Sequence, residues 1–297
     1  MQKITPFLWF DTQAEEAAKF YVSLFKNSKV GTILRYDEAG AAASGRPKGS
    51  VMTIDFTLNG QEFAGLNGGP MFQFSPAISF FAYFNTEKEI DIVFEKLSFG
   101  GKIMMPLAKY PFAEKFAFFQ DKYGVSWQLM LAKTVPHISP SLLFVGKDLG
   151  NAEAAVKHYV SIFKNSKVNT LSHYKKNMPG KEGTVEYCSF TLDGQDFVAM
   201  DGTGPHAFAF NESVSFVVNC ETQEEVDYYW EKLSEEGDKK AQQCGWLKDK
   251  FGISWQIVPT VLVKMLQDKD AEKSKRVMQA MLKMKKIYIK TLKQAYM

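Results

Sequence analysis

The stretch "YVSLFKNSKV" at residues 21–30 returns almost letter for letter as "YVSIFKNSKV" at 159–168, and a chain that repeats itself over such a distance folds as two related units. Three further blocks keep step with it. "FTLNGQEF" at 56–63 answers "FTLDGQDF" at 190–197, "SFFAYF" at 79–84 answers "SFVVNC" at 215–220, and "DKYGVSWQLM" at 121–130 answers "DKFGISWQIV" at 249–258. The offset drifts from 138 through 134 and 136 to 128, so insertions and deletions have collected between the blocks, as surface loops allow. A period of about 130 residues is the size of a domain, not of a solenoid repeat.

Inside each copy the hydrophobic period switches between helix and strand. Ala14, Ala17, Ala18, Tyr21, Leu24 and Phe25 share one helical face behind Thr12 and Glu15, which stand at capping-box spacing; in the second copy Asn151 is placed to cap the matching helix. A second helix opens at Thr86 with Glu89 and at Thr222 with Glu225, and stops at Gly100 and Gly237. Between these helices Met52, Ile54, Phe56 and Leu58 alternate with polar residues up to Asn59-Gly60, a type I′ hairpin signal that Asp193-Gly194 repeats. Each copy reads as strand, helix, three strands, twice over, so the chain contains four βαβββ modules.

Composition removes several classes. Hydrophobic residues make up 45% of the 297 and charged residues 23%, enough apolar material for packed cores. A net charge of +3 gives no overall field for nucleic acid or an acidic membrane. Cys188, Cys220 and Cys244, an odd number without CxxC spacing, fit reduced thiols; Cys244 is read either as an accessible loop thiol or as an inert one. The opening "PFLWF" is too short for a signal-peptide core, and no apolar run approaches the roughly 20 residues that span a bilayer, so a soluble cytoplasmic protein is expected.

The double βαβββ order, with "FYVSLF" closing the first helix, "GQEF" and "GQDF" after the hairpins and "CGWLKDKFGISWQIVP" at 244–259, resembles the PhnB-like, 3-demethylubiquinone-9 3-methyltransferase-like family of the vicinal oxygen chelate (glyoxalase/bleomycin resistance/dioxygenase) superfamily. The resemblance covers both copies and implies an α+β fold: glyoxalase-like domains at 1–132 and 137–260, each of two βαβββ modules forming an eight-stranded cup with the ligand inside, followed by a helical tail at 261–297. It also implies a divalent metal on the cup floor. The first-strand ligand position falls at Thr5 or Pro6 and at Ser139 or Pro140, the fifth-strand position near Ser79 and Ser215, the fourth-strand position around Gly65 to Asn67 and Ala199 to Asp201, and the last-strand position at Gln128 and Gln256. The histidines argue separately against a duplicated metal site, because His137, His158, His173 and His206 all lie beyond the first copy. No cofactor is expected; a single metal in the second domain would have to use His206 with partners such as Asp201 and Gln256.

The candidate substrate-binding residues are Trp9, Asn67, Ser79, Gln128, Leu143, Asp201, His206, Ser215, Trp246 and Gln256. In "SWQ" the Ser and Gln share one strand face and the Trp takes the other; Gln128 and Gln256 either orient a polar ligand or satisfy neighbouring backbone, while Trp127 and Trp255 fill core. Asn67 and Asp201 end their strands, where turn formation is the other reading, and Trp9 lines a pocket or joins the core. "GLNGGP" and "DGTGP" lack the GxGxxG pattern and a following helix start, so neither is a phosphate cradle nor the glycine loop of a conventional methyltransferase. The expected function is small-molecule binding, with catalysis of unknown type or plain sequestration of an apolar or aromatic compound as the two readings.

Beyond the repeats, Val277, Met281, Met284, Tyr288 and Leu292 form a stripe of helical spacing flanked by lysines. It is read as packing on the body or on a partner with its lysines solvated, not as a nucleic-acid or membrane surface. The two domains are expected to pair within the chain as a pseudo-dimer, with a homodimer also open.

Overall fold

The structure is a computed structural model that describes residues 2–297. The first module comprises β1 (Ile4–Phe10), α1 (Ala14–Leu24), β2 (Lys29–Arg35), α2 (Glu38–Ser44), β3 (Val51–Leu58) and β4 (Gln61–Asn67); the second comprises β5 (Ile78–Phe84), α3 (Glu87–Ser98), β6 (Lys102–Tyr110), β7 (Ala113–Gln120) and β8 (Ser126–Leu131). The third runs through β9 (Ile138–Phe144), α4 (Ala152–Ile162), β10 (Lys167–His173), β11 (Val185–Leu192) and β12 (Gln195–Asp201), and the fourth through β13 (Val214–Cys220), α5 (Gln223–Ser234), β14 (Asp238–Gln243), β15 (Trp246–Lys248) and β16 (Ser254–Pro259). The tail forms α6 (Thr260–Leu266), α7 (Ala271–Met281) and α8 (Ile289–Tyr296).

Local chemistry accounts for most boundaries. Asn59 and Gly60 take φ of 48° and 84°, and Asp193 and Gly194 take 47° and 80°, the paired positive values a type I′ turn requires. Thr86 Oγ1 accepts the Glu89 N–H at 3.4 Å and Thr222 Oγ1 the Glu225 N–H at 3.3 Å, so both second helices are capped as their sequences predict. The first helices differ. Neither Thr12 nor Asn151 caps with its side chain. Instead Asn67, at the end of β4, accepts the Ala14 N–H at 2.8 Å, and Asp201, at the end of β12, accepts the Gly150 N–H at 2.6 Å and the Val185 N–H at 2.8 Å.

The strands form two eight-stranded sheets, ordered β14-β15-β16-β13-β1-β4-β3-β2 and β10-β11-β12-β9-β5-β8-β7-β6. Each sheet therefore holds two modules, as expected, but they come from opposite halves of the chain. Antiparallel pairing of β1 with β13 joins modules one and four, and pairing of β5 with β9 joins modules two and three. The expectation that each half closes its own sheet is corrected accordingly.

What binds the two modules of one half is the helix-side core. Tyr21 of α1 donates to Asp121 Oδ2 at 2.6 Å, Trp127 Nε1 donates to the same oxygen at 2.9 Å, and Asp121 Oδ1 accepts the Tyr123 and Val125 N–H groups at 2.8 and 3.0 Å. The second half repeats this around Asp249, with Tyr159 at 2.7 Å, Trp255 at 2.8 Å and the N–H groups of Phe251 and Ile253 at 2.9 and 3.0 Å. Both carboxylates are buried and fully partnered, which makes burial of the charge tolerable. The first letter of each repeat and the "DK" before each "SWQ" are thus partners across about a hundred residues. The modules form a ring, joined alternately by a shared core and a shared sheet.

The tail closes on the body as its stripe predicts, though as three helices. Val277 and Leu292 are buried, with Leu262, Met265 and Ile287 completing a cluster against which Val258 of β16 packs; Tyr288 stays exposed. Lys275 pairs with Glu38 of α2 at 3.2 Å and Lys286 with Asp227 of α5 at 2.6 Å.

Candidate functional site

Side chains alternate across each strand, and Ile54, Phe56, Phe63, Trp127 and Trp255 sit in the helix-side core, so the helix-free face of each sheet is fixed by parity. On the sheet of modules one and four that face carries Thr5, Phe7 and Trp9 of β1, Ser215 of β13, Trp246 of β15, and Ser254 and Gln256 of β16. Trp246 lies 6.1 Å from Trp9 and 6.0 Å from Phe7 between ring centroids, and Trp9 is 5.1 Å from Phe72. On a flat sheet roughly 14 Å would separate β15 from β1, so the sheet curls toward this face and makes a groove. Its aromatic rings are only partly buried.

The floor of this groove is polar. Gln256 Nε2 donates to Ser215 Oγ at 2.9 Å, and Ser254 Oγ, 1% exposed, has no partner. On β3 the Asp55 side chain takes the same face, in register with Ala64 and, through it, with Phe7. Its neighbour across β2 is Gly31, whose missing side chain leaves it uncovered. Crowding around Asp55, reinforced by the like charge of Glu62, lifts its carboxyl to about 6, while the residue itself is exposed to solvent, which screens the effect. No sequence signal marks this group, because Asp55 reads as an ordinary polar residue in an alternating strand.

The groove of modules two and three has the same floor. Gln128 Nε2 donates to Ser79 Oγ at 2.9 Å, with Ser139, Ser141 and Ser126 alongside and Ser126 Oγ also without a partner. Here, however, the protein fills the space. Phe81, Tyr83, Phe116 and Val198 are buried in one cluster, with Met105, Tyr110, Phe118 and Met200 packed around them. Phe81 stacks on Tyr83 at 5.6 Å, and Tyr83 on His137 at 4.4 Å. The long β6–β7 hairpin, whose counterpart β14–β15 is much shorter, supplies much of this filling.

The ten sequence candidates therefore separate. Trp9, Ser215, Trp246 and Gln256 meet in the first groove; Ser79, Gln128 and Leu143 lie on the face of the second. Asn67 and Asp201 do not reach either groove, because both are spent on backbone N–H groups on the helix side. His206 sits on the loop after β12 against Phe208, ring centroids 4.8 Å apart. Asp201 and Gln256 belong to different sheets, so the possible trio of His206, Asp201 and Gln256 does not assemble. Cys244 is half-buried and burial raises its thiol, the setting of an unreactive cysteine.

The donor set does not fit the metal that the resemblance implies. At the implied positions stand neutral hydroxyls and amides, Thr5, Ser215 and Gln256 in one groove and Ser139, Ser79 and Gln128 in the other, and each Gln spends its Nε2 on a serine. Of the stretches implied for the fourth strand, only Leu66 and Met200 point into a groove. Among the described residues no three His, Cys, Asp or Glu side chains gather. A cleft of about 500 Å³ opens elsewhere, where the loops before β5 and β13 cross. Ser75 Oγ donates to the Ala209 carbonyl at 2.8 Å and Asn211 Nδ2 to the Gln73 carbonyl at 2.9 Å across it, so it is the seam between the halves.

Comparison with known proteins agrees with this doubled architecture. The family model described as 3-demethylubiquinone-9 3-methyltransferase matches residues 2–130 and again 136–258. The chain belongs to that family. A Bacillus cereus PhnB protein of the same designation is 51% identical over 44% of this chain and 100% of its own, at a TM-score of 0.41. Glyoxalase I from Zea mays is 11% identical and covers 90% of this chain and 98% of its own at a TM-score of 0.53, and a point mutant of that enzyme covers 89% and 96% at 12% identity and 0.56. The fold is thus that of a tandem glyoxalase-like protein. No curated protein matches the chain. Among the described residues no helix is long and apolar enough to cross a membrane.

Proposed function

We propose that the chain binds a small, largely aromatic or apolar molecule in the groove shared by modules one and four. One observation carries this reading: of two grooves with the same Gln–Ser floor, one is packed with the protein's own side chains, while the other surrounds its floor with partly exposed rings. Phe7, Trp9, Phe72 and Trp246 supply stacking area, and the free oxygen of the Gln256 amide supplies a polar contact that orients a ligand. A thermal-shift screen of aromatic metabolites and drugs tests it. At saturation a true ligand raises the midpoint by about 5 °C or more, and Trp246→Ala lowers its affinity about tenfold or more. A ligand whose shift is untouched by Trp246→Ala, yet lost on changing Tyr83, would move the site to the other groove.

A second reading rests on Asp55. A carboxyl at about 6 on a groove wall suits a general acid or base near neutral pH. On this reading the protein turns its ligand over, and Asp55→Asn abolishes turnover while leaving binding intact.

A further inference from the structure

Each groove has two lips, one from each of its modules, and in the groove of modules two and three the β6–β7 hairpin covers the opening: Tyr110 and Met105 reach across onto the cluster that includes Tyr187, Val198 and Met200 of the third module. In the other groove the matching hairpin is cut short, for β15 is only three residues long. The tail attaches at that truncated turn. Cys244 N–H donates to the Met284 carbonyl at 2.8 Å and Gly245 N–H to the Lys285 carbonyl at 2.7 Å. Gln223, at the start of α5, holds the same stretch from the other side, donating to the Ile287 carbonyl at 3.2 Å and accepting the Ile289 N–H at 2.8 Å. The tail cluster then rests on Val258, a residue on the groove face of β16, and α7 reaches the opposite lip, where Lys275 meets Glu38 of α2. The fourth module anchors one end of this strap and the first module the other.

We infer that residues 261–297 are the movable roof of the groove of modules one and four, taking the place that the longer β6–β7 hairpin holds over the other groove, and that a ligand enters by displacing them. The inference rests on the groove reading above and adds the route of entry. The contacts suit a part that opens. The fourth-module anchor is made of hydrogen bonds and the Lys286–Asp227 pair, without a shared strand, and the Lys275–Glu38 pair is exposed, a kind of ion pair that contributes little. The hairpin over the other groove, by contrast, is continuous with its sheet.

The test uses the full-length chain and the dye 8-anilinonaphthalene-1-sulfonate as probe, with association followed by stopped-flow fluorescence and amide exchange by mass spectrometry. Gln223→Ala combined with Lys286→Glu is expected to speed exchange of the Cys244 and Gly245 amides about tenfold and dye association by a similar factor, with exchange in β13 and β16 unchanged. Lys275→Glu alone is expected to speed association, and the charge swap Glu38→Lys/Lys275→Glu to restore the original rate. Faster exchange without faster association overturns the roof as a gate. Unchanged exchange overturns the anchor, and failure of the swap to restore the rate overturns the second latch. Dye binding that ignores Trp246→Ala in every variant counts instead against the groove reading itself.

Discussion

Replacing Asp249 by alanine is expected to cost the fold about 3–5 kcal/mol, the loss typical of breaking a buried charged network. The carboxylate has four donors around it, and removing it leaves the Tyr159 hydroxyl, the Trp255 indole N–H and two backbone N–H groups buried without an acceptor. Each such orphan costs about 1–3 kcal/mol before relaxation. Tyr159→Phe, which removes one donor and leaves the carboxylate three, is expected to cost only about 1 kcal/mol. Urea unfolding followed by tryptophan fluorescence measures both, and a loss below about 1 kcal/mol for Asp249→Ala would show that the network is not what holds modules three and four together. There is a pH signature as well. Burial lifts the Asp249 carboxyl to about 6 from an ordinary 3.8. The folded chain therefore takes up a proton in that interval that the unfolded chain does not. Wild-type stability gains from this group as pH falls from about 6 to about 4 and loses that gain as pH rises, so the penalty of the alanine variant widens on acidification.

Truncating Phe81 to alanine is expected to cost about 3–5 kcal/mol, as for any large ring deleted from a packed core. Phe81 is 2% exposed and touches both Tyr83 and Phe116, so nothing nearby can collapse into the hole without breaking a stack. Phe7 sits on the same face of the other groove yet is only partly buried, and Phe7→Ala is expected to cost about 1 kcal/mol or less. The pair of measurements separates a filled groove from an open one. Equal losses at the two positions would mean that both grooves are packed, and the binding proposal would lose its basis.

How much of this could be read from the sequence depended on how local the cause was. The hairpins at Asn59-Gly60 and Asp193-Gly194 and the caps at Thr86 and Thr222 are decided by a few adjacent residues, and the structure has them where the sequence puts them. Asn67 and Asp201 stay ambiguous in the sequence, between ligand contact and a turn, because a polar residue ending a strand looks the same whether it faces a ligand or a helix start from another element. The roles of Asp121 and Asp249 were hidden for a related reason: Tyr21 and Tyr159 lie far upstream, and both tyrosines read as ordinary members of an apolar helical face. Most telling is the pairing of modules. β5 and β13 carry matching segments, "SFFAYF" and "SFVVNC", and a strand recognises its neighbour largely through backbone groups that every residue shares. Nothing in β1 distinguishes the two by pattern, so only the three-dimensional arrangement shows that it chooses β13.

That choice is the centre of the account, since it makes each groove the joint product of both halves, and cross-strand disulfides test it in the intact chain. Phe7 and Ser215 are directly opposed in the β1–β13 pair, at a separation a disulfide spans. Ser79 takes the corresponding place in β5, which would oppose Phe7 if each half closed its own sheet. The chain carrying Phe7→Cys and Ser215→Cys is predicted to form the cross-link under mild oxidation, read as a joined peptide by mass spectrometry, and the chain carrying Phe7→Cys and Ser79→Cys is predicted not to. The reverse result, a cross-link to position 79 and none to position 215, would contradict the shared grooves outright.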